Sequence, residues 1–194
     1  MIAIKLITFS LLLGSALAAQ STTTSPGFTP ASDTLLGLFF DGNTFVASGS
    51  HKELSQVSIP PKLALEKRTH ATNYLSLMVD PDVFYLNVTY TFLHWLSQDL
   101  AIGDHSSFPR FPFILTNTSA NLAEYISPGP QAGDTHRYVY LLFNQPKGFN
   151  ITDAPYDTDV YTRLSFNLPS FIQENGLGDP VAGNYFLATN TSSK

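Results

Sequence analysis

Asn73-Tyr74-Leu75-Ser76-Leu77-Met78-Val79-Asp80-Pro81-Asp82 is the stretch on which the fold turns. Leu75, Leu77 and Val79 recur at every second position, the period that lines one face of a β-strand. Asp80-Pro81-Asp82 follows that strand directly and puts carboxylates at its end. On the C-terminal side, Tyr90 to Leu96 is aromatic and β-branched, and Tyr138 to Phe143 is almost continuously apolar, as a central strand covered on both faces must be. On the N-terminal side, Leu35 to Phe40 is apolar and ends at the turn signal Asp41-Gly42-Asn43. Asn184 to Ala188 reads as a closing strand.

One segment is helical in pattern. Asn167 suits an N-cap, Pro169 the first turn and Gly176 the position past the end, while Leu168, Phe171 and Ile172 share a face. A second, weaker helical pattern runs from Ser119 to Tyr125. Many short strands with small helices predict a mainly β domain of sandwich or related architecture. There is no internal repeat and no sign of a second domain, so residues 34–194 are expected to form one domain.

The 194-residue chain is 43% hydrophobic and only 13% charged, with a formal net charge of -5. That composition builds a core under a weakly charged surface. An acidic chain without a Lys/Arg cluster offers no footprint for nucleic acid. The absence of cysteine removes thiol catalysis and Cys-based zinc sites.

Lys5, the apolar run Leu6 to Leu13 and the small-residue stretch Gly14-Ser15-Ala16-Leu17-Ala18 have the order of a secretory signal peptide. Residues 1–18 are therefore expected to be removed after Ala18 and the protein to be secreted. No other run approaches the length of a membrane helix. Residues 19–33 are Ser/Thr/Pro-rich without apolar periodicity and are expected to form a flexible leader. Behind an export signal, the Asn-x-Ser/Thr acceptors at Asn87, Asn117, Asn150 and Asn190 are candidate glycosylation sites.

The nucleophile-elbow, zinc-protease, phosphate-loop and dinucleotide motifs are all missing. What remains is polar residues at strand ends: Asp80-Pro81-Asp82, His94-Trp95 and His136-Arg137-Tyr138, the last preceded by Ser127-Pro128-Gly129-Pro130. Two readings stand on spacing alone. The histidines and aspartate are satisfied core residues, or they converge on a concavity for a small anion, the histidines donating and the aspartate fixing a tautomer.

These blocks resemble the phosphatidylethanolamine-binding protein family, which includes carboxypeptidase Y inhibitors, Raf kinase inhibitor proteins and plant flowering regulators. Met78-Val79-Asp80-Pro81-Asp82, His94-Trp95, Gly129-Pro130 with His136-Arg137-Tyr138, and Asn175 to Phe186 occur in the family's order and at its approximate spacing. The resemblance implies an antiparallel Greek-key β-sandwich with small peripheral helices. It implies a pocket for phosphate-like anions or phospholipid headgroups, lined by Asp80, His94, Pro130, His136 and Tyr138. Asp82, Gly129 and Arg137 are expected to brace it. No cofactor, metal or catalytic residue is implied, and the expected role is non-enzymatic binding. The alternative is inhibition of a serine carboxypeptidase, with a serine peptidase as partner. A metal-dependent or acid/base hydrolase is a third, weaker reading. Two departures stand out. Val83-Phe84 replace the family's small residue and proline after Asp-Pro-Asp, and the chain ends without the animal members' last helix.

Overall fold

The computed structural model describes residues 23–105, 108–149, 151 and 160–192. The expected signal peptide, the start of the leader and Asn150 lie outside them. The strands are β1 (Gly37–Phe40), β2 (Thr44–Phe45), β3 (Ser50–Lys52), β4 (Lys62–Leu65), β5 (Tyr74–Tyr85), β6 (Val88–His105), β7 (Phe113–Asn117), β8 (Thr135–Asn144) and β9 (Ala182–Thr189). Two short helices, α1 (Val160–Arg163) and α2 (Leu168–Glu174), precede β9.

Hydrogen bonding runs unbroken through one nine-stranded sheet in the order β2-β1-β4-β7-β6-β5-β8-β9-β3. Neighbours are antiparallel except β3, which lies parallel to β9. A bridge between Leu35 and Gly183 ties the entrance of β1 to β9, so the sheet curls toward closure. The expected mainly β architecture is thus present, with its strands hydrogen-bonded into a single curled sheet that packs against itself. Its inner core joins Leu38, Leu63 and Leu115 from one side to Met78, Tyr138, Tyr140 and Phe186 from the other. Alternation sends the remaining residues of the central strands outward. Leu75, Leu77 and Val79 of β5 meet Val139, Leu141 and Phe143 of β8, under a cover of Leu122, Phe166, Leu168 and Phe171. The near-continuous apolar run of β8 is thus covered on both faces, as its sequence requires.

The α2 helix starts where its cap predicts: the Asn167 side chain accepts from the Ser170 N–H at 3.0 Å. It stops at Gly176, whose φ of 61° is the left-handed value that glycine adopts without strain. The Ser119–Tyr125 helix does not form. There, Leu122 and Ala123 donate their N–H groups to the Leu96 carbonyl instead, and Ile126 donates to that of His94. Burying Leu122 and Ala123 on the outer core outweighs one weak helical turn.

The described part of the leader is not free. Thr23, Thr24, Ser25 and Ser32 are buried. Thr23 donates to the Ser32 carbonyl, Ser48 Oγ to the Thr23 carbonyl, and Arg137 Nη1 to Ser25 Oγ. The Thr24 methyl sits over Gly183, where a Cβ would approach it to 2.5 Å. Composition does not record these contacts, because the partners lie within the segment itself, at Ser48 and at the Arg137 side chain of β8.

β5 and β6 continue beyond the core as a two-stranded ribbon, with Val83 opposite Tyr90, Phe84 opposite Thr89 and Tyr85 opposite Val88. Leu86 and Asn87 turn it with φ of 49° and 62°. Asparagine tolerates that region; leucine pays a steric penalty between its Cβ and the following carbonyl. Leu86→Gly is expected to stabilise the protein by about 1 kcal/mol, read as a raised denaturation midpoint with an unchanged slope.

Candidate functional site

Two irregularities in the β5–β6 ladder build the site. Met78 pairs with Trp95 and Val79 with Leu93, so His94 is an extra residue on β6. Asp80 pairs with Phe92 and Val83 with Tyr90, so β5 carries an extra residue at Pro81-Asp82. Such bulges re-aim side chains, and a bulge is where a strand tolerates proline. Across β5, the start of β8 supplies His136, Arg137 and Tyr138.

Asp80 is 2% exposed, His94 5% and His136 7%, and they meet. His136 Nδ1 lies 2.7 Å from Asp80 Oδ2. Asp80 Oδ1 accepts the Asp82 N–H at 2.8 Å. His94 Nε2 stands 4.0 Å from Asp80 Oδ2, too far for a hydrogen bond. Its Nδ1 lies 2.7 Å from the Ile126 carbonyl. A carbonyl only accepts, so Nδ1 carries the proton and neutral His94 presents Nε2 as a lone pair. The two imidazoles are therefore not equivalent donors. Tyr138 sits against His94 with ring centroids 5.2 Å apart.

The electrostatics separate the histidines further. Burial, only partly opposed by the Ile126 carbonyl and Asp80, lowers the His94 pKa and keeps that ring neutral. The hydrogen bond to Asp80 raises the His136 pKa against the opposing effect of burial. Burial and the nearby Asp80 charge push the Tyr138 phenol far above its ordinary value, so it stays an O–H. The site thus holds a carboxylate, one readily protonated imidazole, one neutral imidazole and a neutral phenol.

Asp82 faces the other way. Its Oδ2 accepts from the Arg137 backbone N–H and Nε, each at 2.8 Å, and its Oδ1 from Nη2. Burial alone would raise the Asp82 pKa, but these hydrogen bonds outweigh it and the net shift is downward. The pair clamps the β5 bulge to β8 and, through Ser25, to the N-terminal segment. Pro130 is buried in the loop before β8, where its carbonyl accepts from Asn190 Nδ2 at 3.0 Å. Gly129 is exposed beside it.

Sequence reasoning missed Arg163. Its guanidinium is buried at 4% exposure and donates to the carbonyls of Glu124 and His94. It thereby holds the segment whose Ile126 carbonyl fixes the His94 tautomer. Its signal in the sequence was only a lone cation amid apolar and aromatic residues. Phe84, at the position where the resemblance departs, points out on the ribbon at 57% exposure. Four clefts of about 400 to 510 Å³ lie elsewhere on the described surface, and none of these four is lined by Asp80, His94 or His136. Among the described residues, no three His, Asp or Glu side chains are arranged to hold a metal ion, and no helix is long and apolar enough to cross a membrane.

Phomoidride biosynthesis cluster protein N of Talaromyces stipitatus is 30% identical, over 94% of this chain and 98% of the relative. CEN-like protein 1 of Nicotiana tabacum is 31% identical, over 79% of each chain. In fold, the chain is similar to a carboxypeptidase Y inhibitor solved with its cognate proteinase, at a TM-score of 0.59 and 22% identity over 82% of this chain and 85% of that one. A phosphatidylethanolamine-binding protein from Plasmodium falciparum gives 0.53 at 17% identity, over 79% and 83%. A family model described as phosphatidylethanolamine-binding protein matches residues 37–186, a span that contains both bulges and all three of Asp80, His94 and His136. The chain belongs to the phosphatidylethanolamine-binding protein family.

Proposed function

We propose that this is a secreted, non-enzymatic binding protein that takes a small anion, a phosphate or carboxylate group, at Asp80, His94, His136 and Tyr138. The Asp80–His136 hydrogen bond carries the reading. It leaves Nε2 as the free nitrogen of His136, a charge-assisted donor once the ring is protonated. His94 complements it as an acceptor, which suits a guest that retains one O–H, such as monohydrogen phosphate or a protonated acid. A phospholipid headgroup and a free phosphate share this chemistry.

A second guest is favoured by one observation. The Talaromyces relative named for phomoidride biosynthesis matches nearly end to end, which supports a small biosynthetic intermediate as the molecule held. Serine peptidase inhibition remains the alternative function. It rests on likeness of fold to one inhibitor at 22% identity.

The test is calorimetric titration of the purified full chain with inorganic phosphate, acetate and phosphoethanolamine at about pH 5.5 and about pH 8, either side of the histidine range. His136 is protonated below its raised pKa, so affinity strengthens as pH falls through that value and weakens above it. His136→Ala is expected to weaken binding at the acid pH by about tenfold, the worth of one charge-assisted hydrogen bond. No binding at acid pH, or equal affinity in the variant, would refute the proposal.

A further inference from the structure

The β5–β6 ribbon holds four of the five large hydrophobic side chains that stand exposed among the described residues: Phe84 at 57%, Tyr85 at 54%, Leu86 at 73% and Val88 at 48%. A water-facing apolar cluster of this kind normally has a cover. The acceptor Asn87-Val88-Thr89 wraps the same tip, with Asn87 exposed in the two-residue turn. Phe84 lies directly opposite Thr89 across the ladder, so the ring and the hydroxyl that the acceptor requires share one face of the ribbon.

The structure separates Asn87 from the other acceptors. Asn117 Nδ2 spends both protons inside the fold, on Ser97 Oγ at 2.8 Å and Asn121 Oδ1 at 2.9 Å. A sugar on that nitrogen would replace one of them. Asn190 Nδ2 holds the Pro130 carbonyl in the loop before β8. Asn150 lies outside the described residues.

We infer that Asn87 is the preferred glycan acceptor and that its first sugar packs its C–H face on the Phe84 ring, covering the face of the tip that Phe84 and Thr89 share. The inference rests on the reading of the protein as secreted. The transfer draws on a lipid-linked oligosaccharide pyrophosphate. A bond forms between the sugar's anomeric carbon and Asn87 Nδ2, the carbon–oxygen bond to pyrophosphate breaks, the pyrophosphate leaves with the electron pair, and the amide gives up one proton. The aromatic face then meets the weakly positive sugar C–H groups, the same quadrupole preference that governs aromatic pairs.

The full chain is expressed in a eukaryotic secretory host in two forms, one with its own residues 1–18 and one with an unrelated leader in their place. Glycopeptide mapping is expected to find Asn87 occupied. Enzymatic removal of the glycan is expected to lower Tm by about 4 °C, a modest shift for a domain of this size. The same treatment of Phe84→Ala, an exposed substitution that leaves the core intact, is expected to leave Tm nearly unchanged. Glycan on the chain with the unrelated leader but not on the chain with its own would refute the secretion reading and support the Asn87 assignment. An empty Asn87 in the exported chain overturns the inference; pelleting with phosphatidylcholine vesicles would then give the tip to a lipid surface. An equal Tm loss in Phe84→Ala overturns the sugar–ring contact.

Discussion

Asp80→Ala will lower the unfolding free energy by about 3 kcal/mol in a urea titration, the usual cost of removing one partner of a buried, hydrogen-bonded charge pair. Two groups lose their acceptor at once: His136 Nδ1 and the Asp82 backbone N–H. Asp80→Asn keeps an acceptor for the Asp82 N–H and is expected to lose about 1 kcal/mol. The pH dependence has a definite sign. Pairing raises the His136 pKa above its ordinary value of 6.5. The stability from that shift is complete below the unfolded-state value and is lost as pH rises through the folded-state value. The gap between the native protein and Asp80→Asn should therefore be widest in mild acid and narrow toward alkaline pH. A gap independent of pH would mean that His136 is not the cationic partner of Asp80.

Arg163→Met will cost about 2 to 3 kcal/mol, because it keeps much of the side-chain volume while taking donors from the Glu124 and His94 carbonyls. The effect should be local before it is global. The segment from Leu122 to Ile126 is pinned to β6 by four backbone hydrogen bonds, three to the carbonyls of Leu96 and His94 and one from the Leu96 N–H to the Ala123 carbonyl, and Arg163 closes it from the other side. Amide exchange at Ile126 should rise well beyond that of the β8 core. Unchanged exchange there would show that the guanidinium merely fills space.

The strands were legible because alternation records which side chains a strand buries. Leu75, Leu77 and Val79 face the outer core, and Tyr138 to Phe143 fills both cores. The number of sheets was not legible. Periodicity tells a residue's face but not which strand lies beside it, so one curled sheet and two stacked sheets leave the same pattern. The Ser119–Tyr125 segment failed for a related reason: Leu122 and Ala123 fit a helical face equally well as they fit a loop laid across β6. Within the site, Asp80, His94 and His136 could be found because their chemistry is in their side chains. The Ile126 carbonyl could not, since every residue carries one, yet it decides that His94 accepts rather than donates.

The margins of the sheet have their own consequence. With 13% charged residues, this protein has little electrostatic repulsion to keep copies apart in solution. Its two outermost strands, β2 and β3, have only two and three residues. So short a rim exposes too few unpaired N–H and C=O groups to template a neighbouring chain. Protection of the sheet margins against edge pairing thus comes from strand length where other proteins use lysines, and lengthening either rim strand would create an aggregation hazard without touching the core.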